Sequence, residues 1–215
     1  QYNGNALVVT DGLFSMDGTL APVPELLEVC RAHGAALMVD DAHGTGTLGA
    51  TGRGINEHFA LLDDHPDILV ATASKALGVE GGAVAASAPV AGMLRQKART
   101  FVYSTSSAPA TCAAVSAAIG ILEGAESPVP ALHRNIRRLA THLGMGEWLS
   151  PIIPVPIGDE GEAVRASAAL RAAGYFVPAI RWPTVPRGAA MLRVTVMASH
   201  TDEQIDGLAH AISRL

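Results

Sequence analysis

The chain has 215 residues, of which 49% are hydrophobic and 16% charged, and its formal net charge is −5. This composition excludes an intrinsically disordered chain, and the length fits one or two domains with a real core. A mildly acidic chain without a cluster of lysines and arginines is not typical of a nucleic-acid-binding protein. No apolar stretch is long enough to span a bilayer, and the two cysteines suit a reducing cytoplasm. We therefore expect a cytoplasmic globular protein.

Apolar runs of strand length alternate with helical segments in the first part of the chain. The sequence begins at Gln1 and reaches an apolar run at residue 6, which predicts that the visible chain starts inside a domain. Continuous apolar strands separated by helices predict right-handed crossovers and a largely parallel sheet covered on both faces. Strands are predicted at residues 7–10, 36–39, 68–71 and 82–86, and helices at residues 23–33, 90–99 and 110–123.

The pattern changes at the Glu-Ser-Pro-Val-Pro segment of residues 126–130. This change predicts a boundary between a large α/β domain, residues 1–127, and a small α+β domain, residues 128–215. In the second domain, helices are predicted at residues 132–142 and 162–173, and strands at residues 152–157, 176–180 and 192–197. The last helix is predicted to begin at Thr201, because Thr201 and Gln204 fit a capping box.

Two carboxylates and a histidine follow the second predicted strand, in the segment MVDDAHGTG of residues 38–46. Open α/β sheets bind their ligands at the carboxyl ends of strands. Because successive strand residues face opposite sides, we expect Asp40 and Asp41 to diverge, so that one of them faces a pocket. The alternative is a strand end solvated at the surface, which the nearby His43 disfavours.

The same segment formally matches the dinucleotide-binding pattern G-x-G-x-x-G at Gly44, Gly46 and Gly49, with acids further on at Asp63 and Asp64. In that motif the strand runs directly into the first glycine, and a helix follows. Here charged residues intervene and the chain continues as a glycine-rich loop, so dinucleotide binding is kept as a minor alternative.

A lysine flanked by small residues follows the third predicted strand, in the segment TASKALG of residues 72–78. Lys75 is suited to form a Schiff base if burial lowers the pKa of its amine. Thr72 and Ser74, with nearby backbone N–H groups, are suited to hold a phosphate. An ordinary surface lysine in a loop is the alternative.

Parallel neighbouring strands would bring Asp40, His43 and Lys75 to the same edge of the sheet. A lysine for a Schiff base, a phosphate cradle and a carboxylate that keeps a pyridinium protonated are what pyridoxal phosphate requires. His43 is suited to donate to the phenolic oxygen of that cofactor. The sequence therefore predicts a pyridoxal-phosphate site. The remaining histidines lack metal-ligand spacing, so no metal site is predicted.

Two arginines stand out in the second predicted domain. Arg181 follows the strand predicted at residues 176–180, and Arg193 lies in the strand predicted at residues 192–197. An arginine at a strand end is suited to bidentate capture of a carboxylate. A solvated arginine, or one that binds a backbone carbonyl, is an equally good interpretation of the sequence.

These segments together resemble the α-oxoamine synthases, a family of fold-type I pyridoxal-phosphate-dependent transferases. The motifs occur in the family's order over nearly the whole chain: DGLFSMDG at residues 11–18, VDDAHGTG at 39–46, SKALG at 74–78, YSTS at 103–106 and IRWPTVP at 180–186. The last motif is similar to that of the member acting in biotin biosynthesis. The resemblance does not include the family's N-terminal portion.

The resemblance implies a role for each matching residue. Lys75 would carry the cofactor, Asp40 would hold the pyridine nitrogen and His43 would contact the phenolic oxygen, with Ser15 at the cofactor face. Phosphate binding is implied for Thr72, Ser74 and, in a homodimer with shared active sites, Thr105 toward the neighbouring subunit. Contacts to substrate are implied for Arg181, Thr184 and Arg193.

The implied reaction is a decarboxylative condensation of L-alanine with a pimeloyl thioester, delivered as pimeloyl-CoA or on a pimeloyl carrier protein. Trp182 and Met191 depart from the biotin enzyme's pattern, which bears on the acyl-chain preference. Two alternatives stay open. One is a related synthase that uses glycine or serine with another acyl-CoA, and the other is a non-catalytic subunit of such an enzyme.

Overall fold

The computed structural model describes residues 5–215. These residues form two compact units, which are described separately. The first unit contains residues up to Leu13 and Leu20–Ser127, and the second contains Phe14–Thr19 and Pro128–Leu215. The short segment Phe14–Thr19 therefore belongs with the C-terminal part of the chain, a division that the sequence prediction did not include.

The first unit is built on a four-stranded sheet in the order β1-β2-β3-β4. Strands β1, β2 and β3 are parallel, and β4 is antiparallel to β3, so the prediction of a mostly parallel sheet is confirmed. The strands are β1 (Leu7–Asp11), β2 (Ala36–Asp40), β3 (Ile68–Thr72) and β4 (Gly82–Ala86), and the helices are α1 (Val23–Ala32), α2 (Ile55–His58), α3 (Ala88–Lys97), α4 (Arg99–Val102) and α5 (Pro109–Glu123).

Helix α1 connects β1 to β2 and supplies much of the core of this unit. Its buried residues Val23, Leu27 and Cys30 recur at helical spacing on one face. They belong to the same apolar cluster as Leu37 and Val39 of β2, both fully buried. The chain leaves the helix through Gly34, whose φ of +63° is a left-handed conformation that suits glycine.

The second unit is an antiparallel sheet of three strands in the order β5-β7-β6, with helices packed on it. Leu139 of α6, Leu170 of α7 and Ile205 of α8 belong to one buried cluster together with Leu192 of β7. The elements are α6 (Val129–His142), β5 (Ile152–Gly158), α7 (Glu160–Ala172), β6 (Ala179–Ile180), β7 (Ala190–Thr195) and α8 (Asp202–Ile212).

Three local predictions meet different outcomes. The capping box at the start of α8 is confirmed, since Thr201 and Gln204 exchange both side-chain-to-backbone hydrogen bonds. The strand predicted at residues 176–180 was too long, because only Ala179 and Ile180 pair with β7 and Phe176 lies 75% exposed. Helix α2 was missed, because it is a four-residue helix after a glycine-rich loop. None of the helices within residues 5–215 combines the length and apolarity needed to cross a bilayer.

Candidate functional site

The carboxyl ends of β2 and β3 lie side by side in the first unit. Asp40, the last residue of β2, pairs with Val70 of β3, and the next backbone N–H, of Asp41, donates to the Val70 carbonyl at 2.8 Å. Because the two strands are parallel, the loops that follow them leave the sheet at the same edge. The loop after β2 contains Asp40–His43, and the loop after β3 contains Lys75.

The two adjacent acids have different environments, as the alternation of strand side chains predicts. Asp41 is fully buried, whereas Asp40 is only partly buried. The Oδ1 atom of Asp40 accepts a hydrogen bond from the backbone N–H of Ala42 at 2.9 Å. A carboxylate has two acceptor oxygens, so the second oxygen of Asp40 is suited to accept a hydrogen bond from a protonated ring nitrogen.

The loop after β3 presents two hydroxyl groups at its start. The Oγ1 atom of Thr72 lies 2.8 Å from the Oγ atom of Ser74 and accepts a hydrogen bond from the Ser74 backbone N–H at 3.2 Å. Thr72 also donates to the Gly81 carbonyl at 3.1 Å, which fixes its rotamer. A pair of exposed hydroxyls beside backbone N–H groups is suited to bind a phosphate.

Lys75 lies in a tight turn within this loop. Its carbonyl accepts a hydrogen bond from the Gly78 N–H at 3.0 Å, and the loop is closed by the Ala73 N–H donating to the Gly81 carbonyl at 2.9 Å. The side chain of Lys75 is exposed. The described residues therefore do not supply the burial that the sequence prediction required of this lysine.

The two loops come together at Gly46 and Ala76. Gly46 has φ of +81°, and a Cβ atom placed on it would lie 2.5 Å from the Cβ atom of Ala76. Such an approach is closer than a side chain allows, so the backbone three residues after His43 packs directly on the residue that follows Lys75. This contact brings the segments of Asp40, His43 and Lys75 to one place.

The first unit also contains Thr105, in the exposed segment between α4 and α5. The phosphate contact implied for Thr105 is directed at the neighbouring subunit and stays a prediction.

Ser15 and Arg193, predicted independently as site residues, are in direct contact in the second unit. The Nε atom of Arg193 donates to the backbone carbonyl of Ser15 at 2.6 Å, and Nη1 donates to the Oγ1 atom of Thr195 at 3.0 Å. Partial burial lowers the pKa of the Arg193 guanidinium below its usual value. Arg193 thus binds a backbone carbonyl, which was one of the two interpretations of the sequence.

Arg181 follows β6 and lines a cleft of about 500 Å³ on the second unit. The carbonyl of Arg181 accepts hydrogen bonds from the N–H groups of Thr184 and Val185, which closes a turn at residues 181–185. Next to this turn the guanidinium of Arg187 stacks over the Trp182 ring at 4.4 Å. The sequence analysis missed the second arginine of the cleft, Arg171. The lining residues are Val164, Ser167, Ala168, Arg171, Ala172, Ala179 and Arg181.

The glycine-rich segment does not form a dinucleotide-binding turn. Gly49 leads into a further loop, and the next helix, α2, begins only at Ile55 and has four residues. Glu57 of that helix holds the loop through hydrogen bonds from the N–H groups of Thr51 and Arg53. This geometry disfavours the minor alternative of dinucleotide binding, because no helix begins directly after Gly49 and α2 has only four residues.

The chain was compared with known proteins. The family model for aminotransferase class I and II matches residues 1–212. An 8-amino-7-oxononanoate synthase of Pseudomonas putida is 47% identical over 98% of this chain and 55% of the relative. A putative 8-amino-7-oxononanoate synthase of Desulfovibrio desulfuricans is 47% identical over 96% of this chain and 55% of the relative. The chain spans about half the length of these relatives.

Among solved structures, the chain is similar to SPT, serine palmitoyltransferase, with its pyridoxal phosphate as an internal aldimine. The TM-score is 0.91 at 31% identity, and the match covers 99% of this chain and 55% of the other. The fold is therefore that of the fold-type I pyridoxal-phosphate-dependent transferases. The chain belongs to the aminotransferase class I and II family, and its curated relatives include 8-amino-7-oxononanoate synthases.

Proposed function

We propose that the protein containing this chain is a pyridoxal-phosphate-dependent acyltransferase that condenses L-alanine with a pimeloyl thioester to give 8-amino-7-oxononanoate, with loss of carbon dioxide. The observation that carries the proposal is the contact of Gly46 with Ala76, which places the acid-histidine loop against the lysine loop. The relatives named for this synthase, 46–47% identical to the chain, support the choice of substrates.

The described residues fit the cofactor. The hydroxyl pair of Thr72 and Ser74 is exposed and pre-oriented for a phosphate, and the second oxygen of Asp40 is available for a pyridine nitrogen. Pyridoxal phosphate, when bound, acts as an electron sink for a carbanion at the substrate's Cα atom. The remaining work is assigned to side chains of this chain.

Each side chain is assigned one task. The carboxylate of Asp40 would hold the proton on the ring nitrogen, and His43 would donate a hydrogen bond to the phenolic oxygen. The Nζ atom of Lys75 would hold the cofactor and would take the proton from the substrate's Cα atom. The guanidinium groups of Arg181 and Arg193 orient carboxylates of the substrates, and Thr184 lies in the same turn as Arg181.

We further propose that the active protein is a homodimer in the cytoplasm, with Thr105 reaching the phosphate of the neighbouring subunit. Helix α5, which follows Thr105, has no buried residue despite its apolar sequence. Ile121 of this helix is 60% exposed and Tyr103, near Thr105, is 79% exposed. An apolar surface of this kind is typical of a subunit interface. Cys30 and Cys112 are both free thiols, which suits a reducing compartment.

The test replaces the lysine in the full-length protein. Lys75→Ala should abolish both turnover and the visible absorbance band of the bound cofactor, and borohydride should then fix no cofactor to the chain. Lys97→Ala, which removes the other lysine of this sequence, serves as the control and should behave as wild type. Normal turnover of Lys75→Ala would overturn the proposal.

A substrate panel separates the proposed reaction from those of related synthases. L-Alanine, glycine and L-serine are offered with pimeloyl-CoA, a pimeloyl carrier protein and palmitoyl-CoA. We expect product only from L-alanine with a pimeloyl thioester. Turnover of serine with palmitoyl-CoA would instead favour the activity named for the structural relative with TM-score 0.91.

A further inference from the structure

Asp41 is a fully buried acid that the proposed reaction does not use. Its Oδ2 atom accepts two hydrogen bonds of 3.1 Å, one from the Oγ1 atom of Thr45 and one from the backbone N–H of Ile55. Its own carbonyl accepts hydrogen bonds from the N–H groups of Gly44 and Thr45 at 3.1 and 2.9 Å. This one residue therefore ties the end of β2, the turn of residues 41–45 and the start of α2 together.

The pocket around the carboxyl group is made by glycine backbone. A Cβ atom on Gly44 would lie 2.0 Å from Oδ1 of Asp41, and one on Gly54 would lie 1.9 Å from Oδ2. A Cβ atom on Gly12 would lie 3.2 Å from Oδ1. Three glycines thus leave space that fits this carboxyl group and no larger side chain, so its position fixes the course of the backbone that surrounds it.

The burial of this carboxyl group costs more free energy than is expected for a residue that only fills space. Within residues 5–215, the Oδ1 atom is buried without a hydrogen-bond partner. Burial, with a smaller contribution from the neighbouring charge of Asp40, raises the pKa of Asp41 to about 6. A buried polar atom without a partner destabilises a fold and calls for an explanation beyond packing.

We propose that Asp41 is a positioning residue for the turn of residues 40–43, holding the carboxylate of Asp40 and the ring of His43 in the orientation that the cofactor requires. The inference rests on the proposed function, since it concerns the same site. Asp41 acts through its hydrogen bonds to Thr45 and Ile55, which fix the backbone that follows Asp40 and His43. It does not contact the cofactor.

The experiment compares three variants of the full-length protein loaded with pyridoxal phosphate. Asp41→Asn keeps the shape but replaces one oxygen by a donor, and Thr45→Val removes one hydrogen bond to Oδ2. Asp63→Asn makes the same chemical change at an exposed acid of the same unit and is the control. The readouts are kcat, KM for L-alanine, and the pH at which the absorbance band of the bound cofactor changes.

For Asp41→Asn we expect kcat to fall about 10- to 100-fold with KM within about twofold of wild type, because a displaced catalytic group slows the reaction more than it weakens binding. The pH midpoint of the absorbance band should move by at least about half a unit, since the contact at the phenolic oxygen changes. Thr45→Val should change kcat and the pH midpoint in the same direction but by less. Asp63→Asn should leave both quantities unchanged.

Wild-type kcat and an unmoved absorbance midpoint in Asp41→Asn would overturn the inference, even if the variant is less stable to heat. If Asp41→Asn does not fold, Thr45→Val decides alone by the same two readouts. The Lys75→Ala experiment separates the two claims. If Lys75→Ala remains active, the proposed function fails. If it is inactive while Asp41→Asn behaves as wild type, only the positioning role fails.

Discussion

Helix α6 of the second unit and helix α5 of the first have similar lengths, 14 and 15 residues, yet α6 buries six residues and α5 buries none. The apolar residues of α6 recur on one face, where Leu132, Ile136 and Leu139 enter the core. Those of α5 lie on all sides of the helix. A helix that is apolar all round is typical of one buried in a larger assembly, which agrees with the subunit interface proposed at α5.

The pKa values of two acids, one in each unit, are shifted in opposite directions. In the first unit, burial raises the pKa of Asp41 to about 6. In the second unit, hydrogen bonds from Arg138 and then His142 lower the pKa of the exposed Asp206 to about 2. The second unit thus uses its charges at the surface for stability, whereas the first buries a charge beside its site.

The largest expected effect is a difference in stability between variants of helix α6 and variants of helix α5. Leu139→Ala should lower the free energy of unfolding of the second unit by about 2–5 kcal/mol, because it empties a fully buried position. Ile121→Ala should change stability by less than about 0.5 kcal/mol in this chain, since that residue is 60% exposed. Urea unfolding followed by tryptophan fluorescence for the second unit and by circular dichroism measures both. Equal costs would contradict the comparison.

The stability of the first unit should fall as pH rises through the range from about 4 to about 6. Because the folded-state pKa of Asp41 is raised from 3.8 to about 6, the folded chain binds a proton that the unfolded chain has lost. The contribution of this proton to the free energy of unfolding is fully present below pH 4. It is about 3 kcal/mol, and it is lost by neutral pH. Hydrogen exchange of the β2 and β3 amides measures it, and Asp41→Asn should remove this dependence. If stability still falls with rising pH in Asp41→Asn, other groups cause the pH dependence.

The contact between the two loops predicts a third difference. Gly46→Ala and Gly34→Ala both place a side chain at positive φ, but only the first meets another atom, at 2.5 Å, while nothing lies within 4 Å of Gly34. Gly46→Ala should therefore cost about 1–3 kcal/mol more than Gly34→Ala. It should also weaken binding of pyridoxal phosphate, measured by fluorescence titration of the full-length protein. Equal affinities in the two variants would show that the loop contact does not position the site.

The smallest expected effect concerns the surface ion pairs of the second unit. The lowered pKa of Asp206 means that its contribution to stability is present above about pH 4 and is lost as pH falls toward 2. The fluorescence of Trp148, whose Nε1 atom donates to the Ile152 carbonyl at 2.9 Å, reports unfolding of this unit. Acid titration of Asp206→Asn should show a weaker loss of stability between pH 4 and 2 than wild type. An identical acid profile would remove Asp206 from this role.

Much of the architecture followed from local patterns. The apolar runs located each of the seven strands within residues 5–215, and the capping box placed the start of α8 because its two hydrogen bonds join residues only three positions apart. The strand end at Asp40 and the loop of Lys75 were predicted together, since parallel strands share an edge. These features depend on short-range periodicity or on a general rule of sheet topology, both of which a sequence contains.

Other features depend on tertiary contacts that a pattern does not encode. The short length of β6 reflects pairing with β7 at Ala179 and Ile180 alone. The glycine pocket of Asp41 joins Gly12, Gly44 and Gly54, which are distant in the sequence. The sequence shows that the loop is rich in glycine, but only the tertiary structure identifies the carboxyl group that occupies the space.

The central claim is that Lys75 carries the cofactor at the shared edge of β2 and β3. The most direct measurement is borohydride reduction of the full-length protein with pyridoxal phosphate, followed by proteolysis and mass spectrometry. We predict a pyridoxyl group on the Nζ atom of Lys75, in the peptide that contains TASKALG. A pyridoxyl group on another lysine, with Lys75 unmodified, would contradict it.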